Sequence, residues 1–324
     1  MKRIFLLLIG CIILTGCLGK ASGDSGAFPV KNIEIIAPAS PGGGWDRTAR
    51  SAQRAMNADG SVDQDITVIN KPGGGGEVGW QYLMQQDSHA VALNSSLLTT
   101  GAILGQTELT YKDFTPLAML STEWLAVASK AGSGIDDANQ LMDQLREDPK
   151  SLVIGVSPSL GSGNHLSFVQ AAVESGVDPT ELQFLVYSSG GDIMNALLGG
   201  HIDITSNSLS DLSEQYEAGE VDILAITAPE RLDSFPNIPT WKEQGVDVEF
   251  PHWRGIMGPP GMSENEIAKW DEYLSSMVKT EEWQTDLDNN DLDNFYMDSK
   301  ETLAFLEKQH DFFKDIVRES GLTP

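Results

Sequence analysis

From Asn32 onward the chain repeats one pattern: a short apolar run, a loop rich in Gly, Ser or Asn, then an amphipathic stretch. "NIEIIAPA" precedes "WDRTARSAQRAMNADG", "DITVINKP" precedes "EVGWQYLMQQD", and "AVALNSS" continues the series. Farther on, "WLAVASK" leads to "IDDANQLMDQLRED", "SLVIGVS" to "NHLSFVQAAVESG" and "LQFLVYS" to "GDIMNALLGG". "HIDITSNS" then leads to "SDLSEQYEAG", and "VDILAITA" follows. Short apolar runs alternating with helix-period stretches predict α/β architecture with mainly parallel sheets. The number of strands, with a break near residues 121–125, predicts two sheets rather than one. A second break falls around 247–255, where "VDVEFPHWRGIMGPPG" interrupts the alternation with prolines and glycines. Two long helical patterns follow, roughly 263–289 and 299–319, with "NFYMD" between them. If these pack back on the first sheet, residues 30–122 with 252–324 form one discontinuous lobe. Residues 123–251 form a second, inserted lobe, and the two crossings make a hinge.

In parallel α/β sheets ligands bind beyond the carboxyl ends of the strands, where helices begin. Helix N-termini there offer free N–H groups and a partial positive charge. Residues 40–46, 70–79, 94–100, 157–165 and 187–192 are loops of this kind, and 206–210 is a sixth candidate. Any one of them reads equally well as an ordinary turn with a helix cap. Several in register predict a cleft lined with backbone donors. The first, within "ASPGGGWDRTARSAQ", places Gly42, Gly43 and Gly44 in succession, more than a turn needs, so something must approach the backbone closely.

Other chemistries find little support. Gly74, Gly76 and Gly79 satisfy GxGxxG after a strand, but the next strand ends in Asn94-Ser95-Ser96, where a ribose-binding carboxylate belongs. There is no GxxxxGK[ST] loop. His165 sits near Ser162, yet no GxSxG elbow surrounds a serine and no acidic third member is evident. The helix-start hydrogen-bonding reading of His165 is therefore preferred. His89, His201, His252 and His310 show no metal-ligand spacing. No cofactor or metal is expected, and no enzyme activity. The net charge of −26 argues against nucleic-acid partners and fits a solubility role.

Both cysteines, Cys11 and Cys17, lie in the first 20 residues, so the body has neither disulfide nor cysteine nucleophile. "MKRIFLLLIGCIILTGCLGK" has a basic start and an apolar run too short for a comfortable membrane span, as in a secretory signal. Leu14, Thr15, Gly16 and Cys17 resemble a bacterial lipobox, in which cleavage precedes the cysteine and the thiol receives a diacylglycerol. Residues 1–17 thus read as lipoprotein signal and lipobox, and 18–29 as a flexible tether. The expected location is extracytoplasmic, on the membrane through a lipid anchor.

The body also resembles the extracytoplasmic solute receptors of tripartite tricarboxylate transporters, the Bug receptors. "PGGGWDRTAR" is similar to that family's P-x-G-G-x-x-D-x-x-A-R loop, and "VINKPGGGGEVG" to its N-K-P-G-A-G-G-x-x-G segment. "SPSLGSGNHL", "YSSGGDIMNALLGGHIDI", "APERLDSFPNIPTWKEQG" and "WRGIMGPPGMSENEI" match later motifs in family order, so the resemblance covers nearly all of 30–324. Two departures concern the ligand: Trp45 stands where a small residue is usual, and Ser189 with Gly190-Gly191 alters the second-lobe Tyr-Gly loop.

The resemblance implies a two-lobed periplasmic-binding-protein-like (type II) fold with a ligand cleft between the lobes. It implies a monomer that binds a small organic acid, such as a di- or tricarboxylate, and presents it to a two-component membrane permease. A lipid-anchored sensor and an enzyme using the same cleft are the alternatives. The candidate ligand-binding set is Ser40, Gly43, Gly44, Asp46, Ser95, Ser159, Gly161, Ser162, His165, Tyr187, Gly190, Asn207 and Arg254. Within it Gly43-Gly44 and Gly161-Ser162 are expected to supply donors from opposite lobes, so valine at 43 or 161 should block binding with the fold nearly intact. Asp46 is expected to cap and brace its loop rather than contact ligand. Arg50 reads as half of a structural ion pair, and Arg254 as either hinge support or ligand contact. Trp45 and Trp80 could close over an apolar ligand body, and aromatic packing between the lobes is the preferred reading.

Overall fold

A computed structural model describes residues 28–319 and 321–322. The signal, the lipobox cysteine Cys17 and most of the tether lie outside the described residues. In chain order the first elements are β1 (Ile33–Ala37), α1 (Gly44–Asp59), β2 (Ile66–Asn70), α2 (Glu77–Leu83), β3 (Ala90–Asn94), α3 (Ser96–Ile103) and β4 (Thr115–Lys130). Then come α4 (Ala138–Glu147), β5 (Val153–Val156), α5 (Gly163–Glu174), β6 (Gln183–Val186), α6 (Gly190–Leu198), β7 (Ile204–Ser208), α7 (Leu209–Glu217) and β8 (Val221–Ile226). The chain closes with β9 (Pro251–Gly258), α8 (Glu264–Met277), α9 (Glu281–Asp288), β10 (Asp293–Met297) and α10 (Ser299–Glu319).

The expected α/β, two-lobed fold is present. The local reasons are those of the sequence: β-branched and aliphatic strands, and helices started by side-chain caps. Ser95, Asp137, Ser162, Ser189, Ser263 and Thr280 each accept an N–H from the first turn of the helix they open. Helix α1 ends at Gly60 in the left-handed region (φ 67°), where glycine carries no Cβ penalty.

One strand joins the two lobes. β4 has 16 residues, a run of roughly 53 Å at about 3.3 Å per residue. Its first part, through Trp124, pairs antiparallel with β9, and β10 lies along it on the other side. From Leu125 onward it pairs antiparallel with β7 and β8. Parallel trios complete each lobe, in the order β2-β1-β3 next to β9 and β7-β5-β6 beyond β4. The expectation of mainly parallel sheets therefore holds for the outer trios and fails at the centre, where β9, β10, β7 and β8 all run against β4.

The segment read as an interruption, "PHWRGIMG", is the central strand β9. Pro251 is its first residue, a place where a missing N–H is tolerated. The single pattern 263–289 is two helices, because Thr280 ends one segment and caps the next. Its Oγ1 donates to Met277 O at 2.8 Å and accepts from Trp283 N–H at 3.1 Å. Apolar layers cover both faces of both sheets. In the first lobe α1, α8 and α9 bury Trp270, Leu274 and Trp283 on one face, while Phe313 of α10 lies with Trp253 on the other. Phe168 and Trp241 fill one side of the second lobe and Ile193 and Leu197 the other.

Candidate functional site

A cleft of about 570 Å³ lies between the lobes, and helices α1, α2, α3, α5, α6 and α7 begin at its walls. Gly43, Gly44 and Trp45 at the start of α1 line it, as do Ser95 before α3, Ser162, Gly163 and Asn164 at α5, and Ser189, Gly190 and Gly191 at α6. The first N–H groups of a helix have no partner inside it. At α1 the chain uses some of its donors locally: Gly43 N–H goes to Ser40 O at 3.2 Å, and Gly42 N–H to Asp46 Oδ2 at 2.8 Å. The N–H groups of Gly44 and Trp45 remain for a guest. At α5, Ser162 N–H goes to Ser159 O at 3.2 Å and Gly161 N–H to His165 Nδ1 at 3.0 Å. The open donors of that helix are therefore those of Gly163 and Asn164, two residues later than the sequence indicated.

Seven of the candidate residues line the cleft with Gly190: Ser40, Gly43, Gly44, Ser95, Ser162, Asn207 and Arg254. Asp46, Ser159, Gly161, His165 and Tyr187 are not among its lining residues. Asp46 is 3% exposed and braces the loop with both oxygens. Besides Gly42 N–H it accepts from Asn70 Nδ2 at 2.8 Å and from Arg50 at 3.0 Å. Burial alone would raise its pKa, but Arg50, the Gly42 N–H and Asn70 hold it below the ordinary carboxylate range. Gly161 sits behind the wall at φ +86°, and its carbonyl accepts from Thr100 Oγ1 of the other lobe at 2.7 Å. A Cβ there would lie 2.4 Å from Leu104 Cδ1, so valine at 161 disturbs the lobe contact instead of leaving the fold nearly intact. The Trp45 ring rests edge-on against Trp80 at 5.7 Å, with Trp80 buried and Trp45 facing the cleft.

The floor comes from β9, which presents His252 and Arg254 from one face, as residues two apart on a strand must. Arg254 makes a buried ion pair with Glu123, a fully buried residue on β4, and Glu123 also accepts from Ser210 Oγ at 2.8 Å. Burial pushes the Glu123 carboxyl up, but the Arg254 guanidinium, with His252, Ser210 and Ser208, more than offsets this and keeps it below its usual value. A second pair, Arg47 and Asp211 at 3.5 Å, joins α1 to α7. Burial and the Glu123 charge raise the Asp211 carboxyl, against Arg47 and Arg254. Two cations thus face two anions, and neither arginine brings an unbalanced positive charge to the cleft. An anion held here depends on helix N-termini.

Sequence reasoning missed His252, Asp211, Gly163 and Asn164. For His252 a signal existed: reading 251–258 as a strand places it on the face that Arg254 occupies. Its Nδ1 is buried without a hydrogen-bond partner among the described residues. Burial lowers the pKa of His252 to about 4, with Glu123 opposing and Arg254 reinforcing the shift, and burial does the same to His165. A histidine kept neutral in the fold contributes stability fully above its unfolded pKa of about 6.5 and loses it as pH falls toward the folded value. Each contributes at most about 3 kcal/mol on that basis. Urea midpoints should therefore drop between pH 6.5 and pH 4, and His252→Phe should flatten that drop; an unchanged slope in the variant counts against a buried neutral imidazole.

Comparison with known proteins adds a lineage to this geometry. The family model described as "Tripartite tricarboxylate transporter family receptor" matches residues 48–322. Protein BugT of Bordetella pertussis is 26% identical over 285 residues, 85% of this chain and 84% of its own length. A solved R. palustris protein with adipate has a TM-score of 0.81 at 20% identity, covering 92% of this chain and 99% of its own. MatC from Rhodopseudomonas palustris with bound malate gives 0.76 at 21%, covering 90% of this chain and 100% of its own.

Proposed function

Since the chain belongs to the tripartite tricarboxylate transporter family of receptors, we propose that it is an extracytoplasmic receptor that binds a small organic carboxylate and delivers it to a two-component secondary permease. The observation that carries this reading is the facing of α1 and α5 across one cleft, each with unpaired first-turn N–H groups. Such termini bind anions without a cationic side chain. That suits a site whose arginines are already paired and a protein whose net charge is −26. The malate and adipate held by two structural neighbours support a carboxylate as the guest.

In this reading residues 30–122 with 252–324 and residues 123–251 are the closing lobes. The hinge is where β4 passes between sheets and where the chain returns into β9. Cys17 carries the lipid that keeps the receptor beside its permease. The protein works as a monomer and turns nothing over.

The test is a thermal-shift screen of di- and tricarboxylates, aromatic acids and amino acids against the full-length chain in detergent. At least one acid should raise the melting temperature in a concentration-dependent way, as binding to the folded state requires. No shift with any acid overturns the carboxylate reading. The anchor is tested separately: Cys17→Ser should abolish labelling by radioactive fatty acid in cells, and persistent labelling refutes it.

A further inference from the structure

At the start of α6 a buried donor and an acceptor converge on one point of the cleft. Asn207, 1% exposed, lies near the end of β7. Its Oδ1 accepts from Asn164 Nδ2 at 3.1 Å, which turns its Nδ2 the other way, and that Nδ2 has no hydrogen-bond partner among the described residues. Asp211 gives Oδ1 to Arg47, leaving Oδ2 toward Gly190. A Cβ on Gly190 would lie 2.9 Å from Asn207 Nδ2 and 2.1 Å from Asp211 Oδ2. A Cβ there would strike both groups, so only a glycine leaves the space beside them open. Gly190, Asn207 and Asp211 all line the cleft, and the first N–H groups of α6 open beside them.

The chemistry of this corner selects among substituents. A carboxylate accepts from Asn207 but meets Asp211 as a like charge. An ammonium donates to Asp211 yet offers no lone pair to the Asn207 N–H. A hydroxyl accepts from one and donates to the other. The surrounding charges, Glu123 and Asp211 against Arg47 and Arg254, balance, so a neutral group adds no uncompensated charge. We propose that Asn207, Asp211 and Gly190 form a hydroxyl subsite, and that the ligand is a hydroxy-substituted carboxylic acid. Its carboxylate lies on the N-termini of α1 and α5, and its hydroxyl bridges Asn207 Nδ2 and Asp211 Oδ2. The proposal rests on the carboxylate-receptor reading and specifies the substrate class within it. Selection comes chiefly from the penalty on acids that lack the hydroxyl, because they leave the buried Asn207 donor unpaired.

Calorimetric titration of the full-length chain with matched acids tests this: malate against succinate, and 2-hydroxyglutarate against glutarate. In at least one pair the hydroxy acid should bind about tenfold or more tightly, the effect of one buried hydrogen-bonded group. In Asp211→Leu the hydroxyl proton loses its acceptor, so the preference should fall to about one. The loss of charge acts on both members of a pair, and their ratio isolates the hydroxyl. Asn207→Ala should erase the preference as well, with Asn164 keeping its bonds to Ser157. If Asn207→Ala fails to fold, Asp211→Leu decides alone. Equal binding within both pairs, binding confined to unsubstituted or aromatic acids, or a preference that survives in Asp211→Leu overturns the hydroxyl subsite and leaves the receptor reading standing. Absence of binding by every carboxylate overturns both.

Discussion

Replacing Arg254 by Met should lower the folding stability by about 3–5 kcal/mol, as expected when a buried charge loses its partner. Glu123 is fully buried and Arg254 nearly so, and they are held on adjacent antiparallel strands, β4 and β9. With the guanidinium gone, the Glu123 carboxylate keeps its Ser210 hydrogen bond and no counter-ion of comparable proximity. It must then protonate or draw in water where the two lobes meet. The double variant Glu123→Gln with Arg254→Met should recover much of the loss, because a buried pair replaced as a unit costs far less than a pair broken. Urea denaturation of the three variants measures this. A stability loss under about 1 kcal/mol in Arg254→Met, with ligand binding abolished, would instead make Arg254 a ligand counter-ion and refute the brace.

Gly43→Val should lower ligand affinity by about 100-fold, equivalent to losing one or two hydrogen bonds to a charged group, while the protein stays folded. Gly43 is the residue before α1, with φ −70° and ψ 165°, a conformation open to any residue. The nearest atoms to an added Cβ are Ser40 O at 3.3 Å and Ala39 Cβ at 3.6 Å, tight but not prohibitive. Gly43 makes no side-chain cap, so no cap is lost. The valine side chain enters the cleft wall beside Ala39 and Ser40, where it is expected to obstruct the approach to the N–H groups proposed to hold the carboxylate. Gly161→Val is the contrasting variant: it forces a branched residue to φ +86° and into Leu104, so its main effect should be on stability. Titration with the acid giving the largest thermal shift separates the two. Near-normal affinity in folded Gly43→Val refutes the N-terminal cradle.

The alternation of short apolar runs with amphipathic stretches determined the α/β class, and the loops rich in Gly, Ser or Asn marked many helix starts. These features depend on hydrogen bonds and side-chain directions within a few residues, which is the distance over which a sequence is legible. The bracing role of Asp46 was readable for the same reason: Gly42 and Arg50 lie within four residues of it. β9 escaped because prolines, glycines and an arginine masked a strand whose stability comes from having partners on both sides. Only the tertiary structure decided which donors face the cleft. Gly161 and Gly163 are two residues apart and chemically identical, yet the His165 ring consumes one N–H and leaves the other open. The Glu123–Arg254 pair joins residues 131 apart, and the meeting of Asn207 and Asp211 over Gly190 depends on the order of β5, β6 and β7 in the sheet. Local hydrogen bonding sets the elements; the strand order, fixed by burial of both sheet faces, sets which distant charges and donors share a site.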